Sequence, residues 1–395
     1  MDSTRESPTI LMYCQHVSGI GHYIRSNAIA QALQQSMRVV MVLGGELPDI
    51  VALPEEVELI RLPPVGINRE HNNLLSLDDR YTLVEAITLR TKTLVKALYQ
   101  WQPSVLLIEH FPAVGRLLFI PEILPFLEAA QAQASPPLVI SSLREILEPQ
   151  IEGRVVRETI SYVLLNAYFD AVLVHGDAKF TDFGQLFKSV IPCKVPVHYT
   201  GFVVPQTQPT SNPMSLSIEA PYLVVSAGGG RLGGLVLRTV IEAYQQLGLV
   251  DRFQLVALAG VFLDETEWQA LEGMAQATPG VQLHRWLPNL YGVLANAQAS
   301  ISLCGYNTAL DLLRAKIPAL VIPSDEDTEG EQFYRATRLD QLGLVQMLSA
   351  KELDCATMVA AIEKLLAFEP QPCSFELEGA EKTAQIIDQL LNPPA

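Results

Sequence analysis

Apolar positions along the chain fall into two alternating rhythms. Short unbroken apolar runs such as Thr9–Cys14 (TILMYC), bounded by polar or glycine-rich text, predict buried strands. Between them apolar residues recur every three or four positions, as Ile24, Ala28, Ile29, Ala32 and Leu33 do, which predicts a helix to about residue 35. Strands at 39–43 and 57–60 complete a βαβ opening. The pattern then predicts a helix over 80–100, strand Val105–Glu109, a helix over 116–132, strand 138–141, a helix over 152–168, and strands 171–174 and 197–200. The polar segment 63–79, with Gly66, Asn68, His71, Asn72 and Asn73, is too long and hydrophilic for a simple connection; a binding loop and plain disorder both fit it.

A proline-rich stretch poor in large apolar residues, 204–220, reads as an interdomain linker. Beyond it the alternation resumes: strand Tyr222–Ser226, helix 233–247, strand 254–259, helix Glu265–Ala277, strand 281–285, strand 300–303, a helix from about 307, strand Ala319–Ile322, and helices at 356–368 and 376–391. Strands alternating with helices imply parallel sheets covered on both faces. The expectation is an α/β protein with two Rossmann-like domains, 1–203 and 221–368, and a C-terminal helical segment, 369–395, able to pack back on the first domain.

Composition narrows the class. With 395 residues, 49% hydrophobic and 18% charged, the chain can fill two cores. Its 27 basic against 43 acidic residues give −16, which disfavours nucleic acid and any broad electrostatic hold on anionic lipid. Up to Pro205 there are 16 basic and 21 acidic residues, and afterwards 11 and 22, so the first half is the less repelled by a lipid-borne acceptor. Cys14, Cys193, Cys304, Cys355 and Cys373 form no C-x-x-C pair, as suits reduced thiols in a cytosol. No apolar run approaches about 18 residues, and MDSTRESPTI lacks a signal-peptide core, so a cytoplasmic protein without a transmembrane segment is expected.

Four places carry candidate chemistry. Gly19-Ile20-Gly21-His22 lies between the first strand and first helix: the glycines open room for a substrate beside a neutral, proton-accepting His22, or they make a tight turn that His22 caps. Glu109 and His110 end a strand and are a second source of a base or of a group that orients the acceptor, or else a cap or a solvent-facing pair; Arg144 and Glu145 hold a similar place. Gly228, Gly230 and Gly233 spell G-x-G-x-x-G, but the next strand ends Ala257-Leu258-Ala259-Gly260 without the acidic residue a dinucleotide site needs. In the fourth stretch Gly305 allows a close turn, the following helix start with Asn307 and Thr308 favours a phosphate, and Asp311 can accept from paired hydroxyls. Thr308 and Asp311 also fit a capping box, and the helix alone leaves the two readings level. The seven histidines show no close metal-ligand spacing, so no metal is expected.

The order glycine turn, Asn307-Thr308, Asp311, IPALVIP, polar loop, Glu331-Gln332 resembles the nucleotide-sugar signature of GT-B glycosyltransferases, most of all family 28, the group of the lipid II-forming N-acetylglucosaminyltransferases. The resemblance implies a GT-B fold, with two parallel sheets facing a central cleft. It implies a donor diphosphate at the helix start with Gly305, Asn307 and Thr308, ribose on Asp311, and the transferred sugar on Glu331 and Gln332. It also sets Gly228, Gly229, Gly230 and Arg231 along the diphosphate and Gly19, Gly21 and His22 near the acceptor. The family commonly has Glu at the Asp311 position and often Gln-Gln at the Glu331-Gln332 position. The implied reaction is transfer from a UDP-sugar to a hydroxyl acceptor, lipid-linked acceptors included, without a cofactor, with His22 as base and Glu109 or His110 as alternatives. Such a protein would be cytoplasmic or peripheral at the inner face of a membrane. A nucleotide-sugar hydrolase, a 2-epimerase and a noncatalytic nucleotide-sugar binder share the fold.

Overall fold

The computed structural model describes residues 7–16, 21–45, 56–68, 73–146, 154–186, 189–205, 221–227, 233–261, 263–287, 289–324 and 330–393. The chain divides into two units, Met1–Pro205 with Phe375–Ala395, and Gln206–Ser374.

The first unit runs β1 (Thr9–Cys14), α1 (Gly21–Leu33), β2 (Arg38–Leu43), β3 (Glu58–Arg61), β4 (Val65–Asn68), β5 (Asn73–Ser76), α2 (Leu83–Trp101), β6 (Val105–Glu109), α3 (Ile120–Gln131), β7 (Leu138–Arg144), α4 (Arg154–Tyr168), β8 (Ala171–His175), α5 (Phe183–Leu186) and β9 (Val197–Tyr199). Seven of its nine strands form one parallel sheet, in the order β3-β2-β1-β6-β7-β8-β9. Alternate residues of β1 serve opposite cores: Leu11 and Tyr13 pack with α2 and α3, while Ile10, Met12 and Cys14 pack with α1. This is why the run is apolar throughout. Chain order reverses between β1 and β6, so the segments leaving these two strands diverge and open a crevice at the carboxyl edge of the sheet.

The second unit contains β10 (Tyr222–Ser226), α6 (Gly234–Gln246), β11 (Gln254–Leu258), α7 (Glu265–Ala277), β12 (Val281–His284), α8 (Leu290–Ala295), β13 (Ala299–Leu303), α9 (Tyr306–Ala315), β14 (Ala319–Ile322), α10 (Glu331–Gln341), β15 (Gln346–Met347) and α11 (Cys355–Leu365). The sheet is again parallel, ordered β12-β11-β10-β13-β14-β15, with its reversal between β10 and β13. The chain then returns to the first unit. Phe202 N–H donates to Glu376 O across 2.8 Å and Gly379 N–H to Phe202 O across 3.0 Å. The rings of Phe180, Phe202 and Phe375 meet edge to face. The last helix, α12 (Gly379–Leu391), lays Ala380, Ile386 and Ile387 into the same core as Ile29 and Leu33 of α1.

A buried clamp fixes the carboxyl edge of the first sheet. Arg90 of α2 donates to Gly44 O at 2.9 Å, Pro63 O at 2.7 Å, Gln15 Oε1 at 2.6 Å and Glu122 Oε1 at 2.8 Å. It thereby ties together the segments that leave β1, β2 and β3. Tyr13 donates to the same Glu122 carboxylate.

Two expectations are corrected. The polar segment 63–79 is not a structureless loop: β4 and β5 pair antiparallel within it, with residues 69–72, His71 and Asn72 among them, outside the described residues. Glu331 and Gln332 do not end a loop but begin α10. That helix buries Arg335 alongside Ala336 and Leu339, so its inward face carries a guanidinium where an apolar residue would have revealed the period.

Candidate active site

His22 is the second residue of α1 and Gly21 the first; Gly19 lies outside the described residues. Glu109 is the last residue of β6, so the two side chains flank the reversal between β1 and β6. His22 Nδ1 lies 2.7 Å from Glu109 Oε1, and Arg116 Nη2 lies 2.9 Å from His22 Nε2. A guanidinium can only donate, so Nε2 carries the lone pair and Nδ1 the proton that bonds Glu109. Arg25, one turn further along α1 and fully buried, donates to the same Glu109 oxygen. Glu109 Oε2 is buried and accepts nothing among the described residues.

Burial first, and then the guanidiniums of Arg144, Arg116 and Arg25, hold the His22 pKa well below the usual imidazole range. The neutrality expected of a helix start is therefore produced mainly by burial. His110 has a left-handed backbone, φ +57°, a conformation uncommon outside glycine that persists only where its surroundings enforce it. It presents its ring 5.2 Å from that of His22. Burial also holds His110 far below its ordinary pKa, against the opposing pull of Glu109. Arg144 ends β7, and Glu145 beside it is buried, its carbonyl accepting from Thr181 Oγ1 at 2.8 Å.

Donor atoms of His22, Glu109 and His110 lie within 4.8 Å of one another, a spacing open to a metal ion. Their chemistry is less suited to one. Both His22 nitrogens and Glu109 Oε1 are already engaged, and two of those partners are guanidiniums that a dication would have to displace. The set reads as an imidazole, His22, held by a carboxylate, with Glu109 Oε2 and the His110 ring beside it.

In the second unit Gly228, Gly229, Gly230 and Arg231 lie outside the described residues. Gly233 is required by packing, since a Cβ there would stand 1.9 Å from Ala227 Cβ. Gly305 caps α9 with φ −64° and ψ 156°, ordinary extended values, so no tight turn demands glycine here. A Cβ on it would meet nothing within 4 Å among the described residues, and no side-chain hydrogen bond from Gly305 caps the helix start. Thr308 is the third helical residue and Asp311 the sixth, which removes the capping box. Asn307 Oδ1 is buried without a partner among the described residues, and no hydrogen bond holds the Asp311 carboxylate there. Burial pushes the Asp311 pKa up to about 7, with Arg314 pulling the other way.

Gln332 Oε1 accepts from Cys304 N–H at 3.2 Å, Arg335 Nη1 donates to Cys304 O at 2.9 Å, and Arg335 pairs with Glu331. Gln332 thus meets the turn between β13 and α9, and Glu331 is tied to it through Arg335; Gly305, Asn307 and Thr308 stand at that turn, with Asp311 further along α9. Sequence reasoning did not find Arg25, Arg116 or Arg335. Only Arg25 left a signal, at i+3 from His22 on one helix.

Residues 223–390 match the glycosyltransferase family 28 C-terminal domain. The chain is 23% identical to the UDP-N-acetylglucosamine--N-acetylmuramyl-(pentapeptide) pyrophosphoryl-undecaprenol N-acetylglucosamine transferase of Thermotoga neapolitana, over 47% of this chain and only 50% of that enzyme's length. The enzyme of the same name from Caldanaerobacter subterraneus is 24% identical over 88% of each chain. Among solved structures, CalG4, the calicheamicin glycosyltransferase, superposes with a TM-score of 0.60 at 19% identity, over 98% of this chain and 94% of that one, a likeness of fold.

Proposed function

We propose that the chain, which has the GT-B fold and matches the glycosyltransferase family 28 C-terminal domain over residues 223–390, is a family 28 glycosyltransferase that moves a sugar from a nucleotide diphosphate, a UDP-sugar, to a hydroxyl acceptor. The observation that carries this reading is the His22–Glu109 pair, whose hydrogen bonds fix a neutral imidazole with its lone pair on Nε2. An alcohol attacks poorly until its proton has a place to go, and a neutral imidazole provides one near pH 7. Glu109 holds the ring in that tautomer and stabilises the imidazolium as it forms; His110 packs beside it. The acceptor oxygen bonds to the anomeric carbon as the bond to the diphosphate breaks, and the electron pair leaves on the phosphate oxygen.

The start of α9, with Gly305, Asn307 and Thr308, suits that departing charge. No metal is then required. Asp311 receives the ribose hydroxyls, and Glu331 and Gln332, held by Arg335 and Cys304, receive the sugar. The relatives' names specify UDP-N-acetylglucosamine and an undecaprenol-linked acceptor, so a lipid-linked hydroxyl compound is the acceptor class to try first. Among the described residues no helix is long and apolar enough to cross a membrane, and use of such a lipid would hold the protein peripherally at the inner face.

A thermal-shift panel of nucleotide-sugars identifies the donor, since ligand at ~100 Kd stabilises by roughly 2.7 kcal/mol. With donor and acceptor in hand, His22→Ala is expected to lower kcat by about 10²–10⁴ and leave donor affinity intact. A folded His22→Ala protein with native kcat would end the assignment. Turnover should also survive EDTA; loss that a divalent ion restores would return the His22, Glu109 and His110 cluster to consideration as a metal centre.

A further inference from the structure

The nitrogen that this reaction needs is already occupied. Arg116 donates to His22 Nε2 across 2.9 Å, and a guanidinium keeps its protons at any working pH. The ring cannot turn away to expose the lone pair without breaking the bond to Glu109. The His22 side chain is 13% exposed and Arg116 is buried, its guanidinium 5.9 Å from the Phe119 ring on the same short helical turn (Val114–Phe119), so bulk water does not readily substitute for either partner. With Arg116 in this position, a water molecule entering the site finds the His22 lone pair already taken.

We infer that Arg116 is a positioning residue that separates transfer from hydrolysis, keeping His22 Nε2 closed until an acceptor hydroxyl displaces it. The inference rests on the reading of His22 as the base. After displacement the hydroxyl proton passes to Nε2, the acceptor oxygen joins the anomeric carbon, and the diphosphate leaves with the electron pair of the broken bond. Water could run the same sequence and waste the donor. The difference lies in what replaces the bond Arg116 gives up. Water offers one oxygen, already committed to attack, whereas an acceptor bearing several oxygens near its hydroxyl can take the guanidinium as it moves off. A hydrogen bond to a charged group weights such an equilibrium by roughly tenfold to a hundredfold, and that is the discrimination available.

Arg116→Met keeps the side-chain length and removes the donor, and Arg116→Lys retains one. Diethyl pyrocarbonate reacts at the lone pair of a neutral imidazole, so its rate at His22, followed by peptide mass spectrometry on the whole protein without substrate, reports whether Nε2 is closed. The expected result is labelling of His22 about tenfold or more faster in Arg116→Met, near-native labelling in Arg116→Lys, and native melting temperatures in both. Equal labelling of native protein and folded Arg116→Met overturns the inference, as does a Lys variant as reactive as the Met variant. A second arm measures UDP release from UDP-N-acetylglucosamine with no acceptor present. Faster release in Arg116→Met that vanishes in Arg116→Met/His22→Ala supports both the inference and the base. Faster labelling without faster release, or faster release that survives in the double variant, sinks His22 as the base and leaves Arg116 as a cap on a ring without that role.

Discussion

Asp311 has a carboxylate that no hydrogen bond holds among the described residues, and its consequences run in two directions. Its pKa is raised from 3.8 to about 7, so the folded state prefers the neutral acid while the unfolded chain ionises above 3.8. The stability this group contributes is fully present below pH 3.8 and lost as pH rises to about 7. Asp311→Asn should therefore raise the melting temperature at pH 8 and leave it nearly unchanged at pH 4. In the proposed function the same variant should weaken nucleotide binding about tenfold or more, because charge-assisted bonds to ribose contribute roughly 1.5–3 kcal/mol each. It should also remove an acid limb near pH 7 from kcat/KM for the donor, whereas kcat, which reports the complex and its neutral His22, should stay level to below pH 6.5. A native limb in a folded Asp311→Asn enzyme would assign it elsewhere. His22 and Asp311 were legible in the sequence because each follows a glycine-containing exit from a strand. Glu109 was legible too, as the end of a strand, but its pairing with His22 was not, nor was Arg116. Glu109 and Arg116 stand 87 and 94 positions from His22, and no spacing rule reaches that far. The choice between cap and free carboxylate for Asp311 needed the helix start, which the apolar period locates only to within a few residues.

Secondary elements were readable in proportion to how fully their inward faces are apolar. β1, β6, β10 and β14 match the sequence expectation at both ends, since nearly every position in them is buried. α8 is too short to show a period, and α10 conceals one behind Arg335. β4 and β5 are half polar and resemble the loop they replace. The same physics makes α2 unusual. It buries Arg90, and so depends on Glu122 of α3 for a charge partner in a place where both are shielded from water. Breaking one side of a buried pair leaves the other charge stranded, at a cost of about 3–5 kcal/mol. Glu122→Gln should lower the unfolding free energy measured in urea by that order, and Arg90→Met/Glu122→Gln should recover part of the loss. A single variant within about 0.5 kcal/mol of native would mean that Arg90 draws its support from the carbonyls of Gly44 and Pro63 instead. Because those carbonyls belong to segments on the His22 edge of the sheet, a loosened clamp should reduce turnover before the protein unfolds.

At the scale of the molecule, each sheet carries its own reversal of strand order, and the candidate residues collect at those two reversals and at neither sheet's opposite edge. The first unit is discontinuous in sequence, since α12 covers α1 only after the whole of Gln206–Ser374 has intervened. Removing Phe375–Ala395 would bare the apolar face of α1 and lose the burial of Ile386 and Ile387, about 1.5–3 kcal/mol for each such side chain. Calorimetry of that truncated chain should show the first unit's transition fall or vanish while the second unit melts as before. Loss of both transitions would show that the second unit does not fold alone. The interruption also sets an order during synthesis. A ribosome delivers β1 and α1 early, then the entire second unit, and only afterwards the helix that closes the first, so the unit begun first is finished last. Throughout that interval the outer face of α1 is an uncovered hydrophobic surface on a nascent chain, and it is where a chaperone at the exit tunnel has something to hold.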